Sequence, residues 1–355
     1  MRMTKRSDMT NLKAGLIRGN AVILSILTAS VFIALMGHNP FSVFGSMIVG
    51  AFGTAFRIKD TLTIAIPLIV TSIGIMIAFK MKFWNIGAEG QILMGAYAAS
   101  YFALNYSTLP KWLLLPLMFV AGFIGGGIWS LIPALLKVKF DTNETIITLM
   151  LNYIAIKWIT YLQYGPWKDP NSLGFPKIAN FEDSAILPKV FGLHIGWIIA
   201  IVIVVIVSVV LAKTKKGFEI SVVGESLDTA RYAGMNVKQI IISAIFASGG
   251  ICGIVGMMEV SGVNQTLTTG VSSGYGYTAI ITAWLSGLKA SIIIPVSILF
   301  AAMIKGGSFI QTAFQIPQSA ADLLQSLILF FVIGSEFFIQ YRIVRINKRE
   351  VVLND

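Results

Sequence analysis

The sequence predicts an all-α integral membrane protein of about ten transmembrane helices, and three observations carry that prediction. Of 355 residues, 56% are hydrophobic and 12% are charged, about half of the roughly 25% charge usual in soluble domains. Mean hydropathy is +0.80. Apolar runs of near-membrane length recur along the whole chain, and basic residues collect in alternate connections. At about 20 residues per span, such runs fill the length, so residues 1–355 are expected to form a single transmembrane domain.

In order, the runs cover 14–36, 61–79, 90–106, 112–136, 145–162, 192–212, 239–260, 274–287, 290–306 and 321–341. The first follows Lys5 and Arg6 but shows no small-residue cleavage pattern, which makes it a retained helix and not a signal peptide. The eighth and ninth are short, and only the stretch 286–289, overlapping the end of the eighth, separates them. Between the fifth and sixth, 163–191 carries Trp167, Pro170, Pro176 and Pro188, the composition of an ordered extracytoplasmic loop capping the interface. The longest connection on the opposite side is 213–238.

Charge sets the orientation. With the N-terminus inside, the inner segments hold 19 of the 27 Lys and Arg, including Lys80, Lys82, Lys137, Lys139, Lys213, Lys215, Lys216, Arg345, Lys348 and Arg349. The outer segments hold seven, and Lys157 lies within a span. This asymmetry predicts an even number of spans with both termini cytoplasmic. It also accounts for the net charge of +11 without a nucleic-acid partner. The one cysteine, Cys252, excludes a disulfide framework, and His38 and His194 lie far apart, so no metal site is predicted. No catalytic nucleophile, metal cluster or acid–base pair stands out. A glycine-rich phosphate loop ending in Lys-Ser or Lys-Thr is missing, so ATP hydrolysis is not expected of this chain.

Four segments hold the polar residues of interest. Phe83-Trp84-Asn85-Ile86-Gly87-Ala88-Glu89-Gly90-Gln91 precedes a helix rich in small residues. It reads either as an ordinary helix start with Glu89 against the macrodipole, or as a broken helix presenting Asn85, Glu89 and Gln91 to a path through the membrane. Gly270-Val271-Ser272-Ser273-Gly274-Tyr275-Gly276-Tyr277-Thr278 is its counterpart in the second half, adding Tyr275 and Tyr277. The two follow the second and seventh spans at opposite membrane faces, the arrangement of an inverted repeat relating spans 2–5 to spans 7–10. In 141–155, Asn143 or Thr142 caps a helix and Glu144 favours its positive end. Asn152, deep in that span, either bonds another helix or faces the path. In 213–238, Leu227, Ala230 and Arg231 share a helical face that Gly234 closes, giving a short amphipathic helix for the lipid surface or for a cytoplasmic partner. Lys157, Glu259, Asp322 and Glu336 are the ionisable residues in or near spans, mostly near span ends where snorkelling explains them.

Together, 85–91, 143–155 with Met150-Leu151-Asn152-Tyr153-Ile154-Ala155, and 224–234 with Ala230-Arg231-Tyr232-Ala233-Gly234 resemble the permease subunits of ABC importers. The branch is the one shared by branched-chain amino acid, ribose-type sugar and nucleoside systems, and the similarity is greatest to nucleoside-uptake permeases, purine or guanosine type. The resemblance runs over nearly the whole chain after the first helix. Trp84 departs from it, since many relatives carry leucine or another aliphatic residue there.

The resemblance implies a fold like the cobalamin importers, with an inverted repeat, in a bacterial cell (inner or plasma) membrane. It implies a translocation path for nucleosides, with ribose-type sugars or branched-chain amino acids as alternative cargo. An ion-coupled carrier built on Lys157, Glu259 and Glu336 is the alternative from another class. The implied partners are a second homologous permease subunit, a cytoplasmic double-cassette ATPase that binds ATP and Mg, and an extracytoplasmic substrate-binding lipoprotein; this chain itself holds no cofactor. The coupling helix that docks on the ATPase corresponds to Glu225, Leu227, Asp228, Ala230, Arg231, Tyr232 and Gly234.

Overall fold

The structure is a computed structural model and describes residues 2–5, 11–172 and 174–344. Arg6, Arg345, Lys348 and Arg349, counted above among the inner charges, lie outside the described residues, as does the side chain of Glu336. In chain order the elements are β1 (Arg2–Lys5), α1 (Asn11–Leu35), α2 (Pro40–Phe52), α3 (Ala55–Lys80), α4 (Ala88–Asn105), α5 (Lys111–Phe140), α6 (Glu144–Tyr164), β2 (Lys189–Val190), β3 (Leu193–His194), α7 (Gly196–Lys213), α8 (Lys215–Glu225), α9 (Leu227–Tyr232), α10 (Val237–Glu259), α11 (Tyr275–Leu285), α12 (Ala290–Phe314), α13 (Gln318–Gln340) and β4 (Tyr341–Val344). Among the described residues, seven helices are long and apolar enough to cross a membrane: α1, α3, α5, α6, α7, α10 with its π-turn extension Val260–Asn264, and α12.

Helices α2 and α8 were not foreseen, because neither looks like a span. α2 is apolar but only 13 residues long, started by Asn39, whose Oδ1 accepts from Phe41 N at 2.9 Å, and by a proline in its first turn. α8 is polar, and its cap is Thr214, whose Oγ1 accepts from Gly217 N at 3.3 Å.

The chain forms two compact units. In the first, Met1–Ile58 with Ala302–Asp355, β1 pairs antiparallel with β4, so that Arg2 faces Val344 and Lys5 faces Tyr341. Its small core holds Ala29, Ile33, Val43, Ile310 and Leu324, and the Arg57 guanidinium lies 4.4 Å over the Phe309 ring.

The second unit, Lys59–Ala301, is built on α4, α5 and α10. Their backbones touch along a seam of glycines. A Cβ on Gly253 would fall 2.1 Å from Gly122 O, and one on Gly256 would fall 2.0 Å from Ile92 O, so only hydrogen fits. Hydroxyls tie neighbouring helices to the seam: Ser130 Oγ donates to Ile245 O at 2.9 Å and Ser248 Oγ to Gly74 O at 2.7 Å. Residues 178–187 rest on the π turn that ends α10 and the two residues after it. Phe181 N donates to Gln265 O (2.8 Å), Leu187 N to Ser261 O (3.0 Å) and Thr266 Oγ1 to Ile178 O (3.0 Å).

Candidate functional site

Helix α4 begins inside protein, where water is not on hand to satisfy its first amides, and side chains take over that task. Asn85 Oδ1 accepts from Gly87 N at 3.0 Å and from Gln91 Nε2 at 3.1 Å, while Asn85 Nδ2 donates to Gln91 Oε1 at 3.2 Å. Thr148 Oγ1 accepts from Ile86 N at 3.2 Å. Asn152 Oδ1 accepts from Gly90 N at 2.8 Å, and its Nδ2 donates to Ile86 O at 2.9 Å and to the Tyr277 hydroxyl at 3.4 Å. Of the two alternatives for Asn152, the bond to another helix is the one observed. Asn143 is the cap of α6, its Oδ1 accepting from Thr145 N at 3.0 Å and Ile146 N at 3.3 Å.

Glu89 joins the two glycine-rich motifs. Its Oε1 accepts from Gly274 N at 3.0 Å and its Oε2 from Gly276 N at 2.8 Å. A Cβ on Gly276 would lie 2.3 Å from Glu89 N, so glycine is required for this approach. One carboxylate therefore serves the starts of both α4 and α11, where the positive ends of two helix dipoles converge. The two motifs meet, because the segment after the π turn brings Gly274 and Gly276 to Glu89. All six candidate path residues, Asn85, Glu89, Gln91, Asn152, Tyr275 and Tyr277, gather at this junction, and all but Tyr277 are buried. Snorkelling does not describe Glu259: it is buried at the end of α10, and its Oε1 has no hydrogen-bond partner among the described residues. Lys157 is exposed.

Beside the junction lies an aromatic face the sequence did not reveal. Trp84 stacks on Trp284 with centroids 5.2 Å apart and planes at 14°, and Phe79 lies 5.4 Å from Trp84 and 5.9 Å from Trp284. Both tryptophans are 41% exposed. Tyr277 stands on the same face of α11 as Trp284, two turns away, and Tyr153 is exposed next to Asn152. The seven-residue spacing of Tyr277 and Trp284 was the available signal for this face.

The predicted coupling residues cluster separately. Ser226 caps α9, accepting from Thr229 N at 3.2 Å; Asp228 pairs with Arg231 at 3.3 Å; Gly234 closes the segment at φ +71°. Leu227, Ala230 and Arg231 were expected to act as one face, but Ala230 is fully buried while Leu227 and Arg231 are exposed and Tyr232 is 94% exposed. With fewer than two turns, α9 packs on α8 and α10 and buries its smallest residue. The segment before it is fixed to the end of α3. A Cβ on Gly224 would fall 1.8 Å from Lys80 O, and Lys82 Nζ donates to Glu225 O at 3.3 Å. Lys82 lies in the connection that carries Trp84 and Asn85.

Comparison with known proteins agrees with this architecture. A glucose ABC transporter permease protein of Haloferax volcanii is 34% identical over 91% of this chain and 88% of its own length. A guanosine ABC transporter permease protein of Bacillus subtilis is 28% identical, covering 93% and 95% respectively. A nucleoside ABC transporter permease protein of Lactococcus lactis subsp. cremoris is 30% identical, covering 88% of each chain. Residues 57–333 match the family described as the branched-chain amino acid transport system / permease component. With its membrane-length helices, the chain thus belongs to that family of multi-pass ABC transporter permeases, and it is a transport subunit and not an enzyme.

Proposed function

We propose that this chain forms the translocation path for nucleosides in an ABC importer, with ATP and Mg bound and hydrolysed by a partner ATPase. The observation that carries the cargo class is the aromatic face at the broken-helix junction. Half-exposed Trp84, Trp284 and Tyr277 offer flat rings to a base, and stacking on aromatic side chains accepts any base. The polar groups of Asn85, Gln91 and Asn152 lie beside them; Asn85 and Asn152 bond backbone amides, Gln91 bonds Asn85, and the Tyr277 hydroxyl accepts from Asn152 Nδ2 at 3.4 Å. The guanosine and nucleoside relatives support the same cargo. A sugar is the second reading, favoured by the 34% identity to the glucose permease, because tryptophan faces also suit the apolar faces of sugar rings.

In this proposal the ten helical runs read from sequence are ten spans with both ends cytoplasmic, and spans 2–5 and 7–10 form a cobalamin-importer-like inverted repeat. The head-to-head starts of α4 and α11 support that symmetry. Segment 163–191 is extracytoplasmic and receives the substrate-binding lipoprotein. Segment 213–238 is cytoplasmic and docks on the ATPase through Arg231 and Tyr232, whose exposure suits an interface anchor. A second homologous permease completes the path in a bacterial cell membrane.

The test is uptake into vesicles carrying this chain with its ATPase and second permease, loaded with ATP and treated with a protonophore. ATP-dependent uptake should persist without a proton gradient. Uptake that collapses with ATP intact would restore the ion-coupled carrier.

A further inference from the structure

Helix α7 stands apart from the glycine-packed bundle. Its closest backbone neighbours are β3 and α8, the elements adjoining it in the chain. Apolar cavities flank it. One of about 300 Å³ lies toward its start, between Ala65, Ile69, Trp197, Val204 and Ile298. The other, about 670 Å³, lies toward its end, walled by Phe119 and Phe123 of α5, Val207 and Val210 of α7, and Ile240 and Ile254 of α10. The larger volume is within the range of about 300–1,000 Å³ that accepts small-molecule ligands.

The polar lining of the larger cavity is Lys216 and Ser243, and Lys216 is its one charged residue. Lys216 stands on the first turn of α8, with Lys213 and Lys215 adjacent in sequence. Glu219 pairs with Lys216 at 3.0 Å and Lys215 at 3.9 Å, so two lysines share one carboxylate and one net positive charge remains at this mouth. Along α10, the wall from Ile240 to Ile254 runs about 21 Å at 1.5 Å per residue, against about 15 Å for one leaflet of hydrocarbon. A groove that is apolar over at least the depth of one leaflet and carries a lysine where the span ends matches the form of an anionic phospholipid.

We infer that this cavity is a binding site for one anionic phospholipid, its acyl chains along α5, α7 and α10 and its phosphate at Lys216. The charge of the mouth selects this occupant. A protein partner is disfavoured by the lining, because interface cores are depleted in lysine and alanine and enriched in aromatic residues, methionine and arginine, and apart from Phe119 and Phe123 this wall is chiefly isoleucine, valine and alanine with a lysine. The site rests on the membrane placement of the chain and not on its cargo, so it stands or falls independently of nucleoside transport.

The experiment is native mass spectrometry of the full chain released from detergent, with dioleoyl phosphatidylglycerol or dioleoyl phosphatidylcholine added. Wild type should retain one phosphatidylglycerol per chain, preferred over phosphatidylcholine by about fivefold. Val207→Trp, which fills the groove, should abolish retention of both lipids. Lys216→Glu should bring the ratio of the two lipids close to unity while leaving apolar retention. Equal retention of both lipids by wild type, or an unchanged ratio in Lys216→Glu, overturns the site even if Val207→Trp fails to fold. Disulfide capture of Val207→Cys by a neighbouring permease chain would overturn it in favour of a protein interface.

Discussion

Helices α10 and α7 are both apolar enough to cross a membrane, yet they hold their positions by opposite means. Within the spanning stretch, 72% of α10 is buried against 28% of α7. α10 has glycines where it meets α4 and α5, and its backbone lies on theirs; α7 offers isoleucine and valine, with cavities on both sides. The difference is one of chemistry at the seam. Lipid tails are as apolar as aliphatic side chains, so greasiness alone does not draw membrane helices together, whereas close backbone approach does.

The sharpest way to break this comparison is to change one side chain on each side of it. Gly256→Ala or Gly253→Ala forces a methyl into a neighbouring carbonyl and should cost about 3 kcal/mol or more, with loss of folded yield. Ile201→Ala, on the exposed face of α7, should change stability by no more than about 0.5 kcal/mol. Thermal denaturation in one detergent compares them directly, and equal tolerance of the two classes would dissolve the distinction.

Next in size is the carboxylate that joins the two helix starts. Glu89→Ala leaves the Gly274 and Gly276 amides without their acceptor, at about 1–3 kcal/mol for each stranded group. Glu89→Gln keeps one acceptor oxygen and should lose less. Melting curves of the two variants should rank in that order, both below wild type, and a Glu89→Ala protein as stable as wild type would show the clamp to be incidental.

Surface anchors sharpen the contrast from the other direction, since they should matter to partners and not to folding. Arg231→Glu and Tyr232→Ala should weaken copurification of the ATPase by more than tenfold, about 2 kcal/mol, with unchanged melting. Normal copurification and normal cargo-stimulated ATP hydrolysis in both would leave α9 to the lipid surface.

The smallest effect concerns His194, in β3 outside the spanning helices. Burial, and then the charge of Lys189, holds its imidazole below its ordinary value. The unfolded chain therefore binds this proton more readily. The stability it contributes is complete above an unfolded value of about 6.5 and is lost as pH falls toward the lowered folded value. His194→Gln should flatten the decline in melting temperature below that pH; an identical slope in the variant would show that other groups set it.

Much of this was legible in the sequence, and for identifiable reasons. Hydropathy located each long helix because the membrane imposes a minimum apolar length, and Asn143 marked the start of α6 by its capping chemistry. The six junction residues stood out because amides, a carboxylate and glycines are costly inside a bilayer. Their convergence was not legible: no local pattern records that Glu89 reaches Gly274 and Gly276 across more than 180 residues of chain. The same limit hid the Trp84–Trp284 stack. α2 escaped because it is shorter than a span, and α9 showed its spacing but not its depth, so that Ala230 alone turned inward.

One measurement bears on the cargo most directly: uptake of labelled guanosine and labelled glucose, side by side, into proteoliposomes holding this chain, its second permease, its ATPase and its binding protein. Guanosine should accumulate in an ATP-dependent manner and glucose should not. Trp84→Ala should cut guanosine uptake by about tenfold, since a stacked base contributes about 1–3 kcal/mol, while copurification of the ATPase stays intact. Accumulation of glucose with no uptake of guanosine, indifferent to Trp84→Ala, would contradict the nucleoside path.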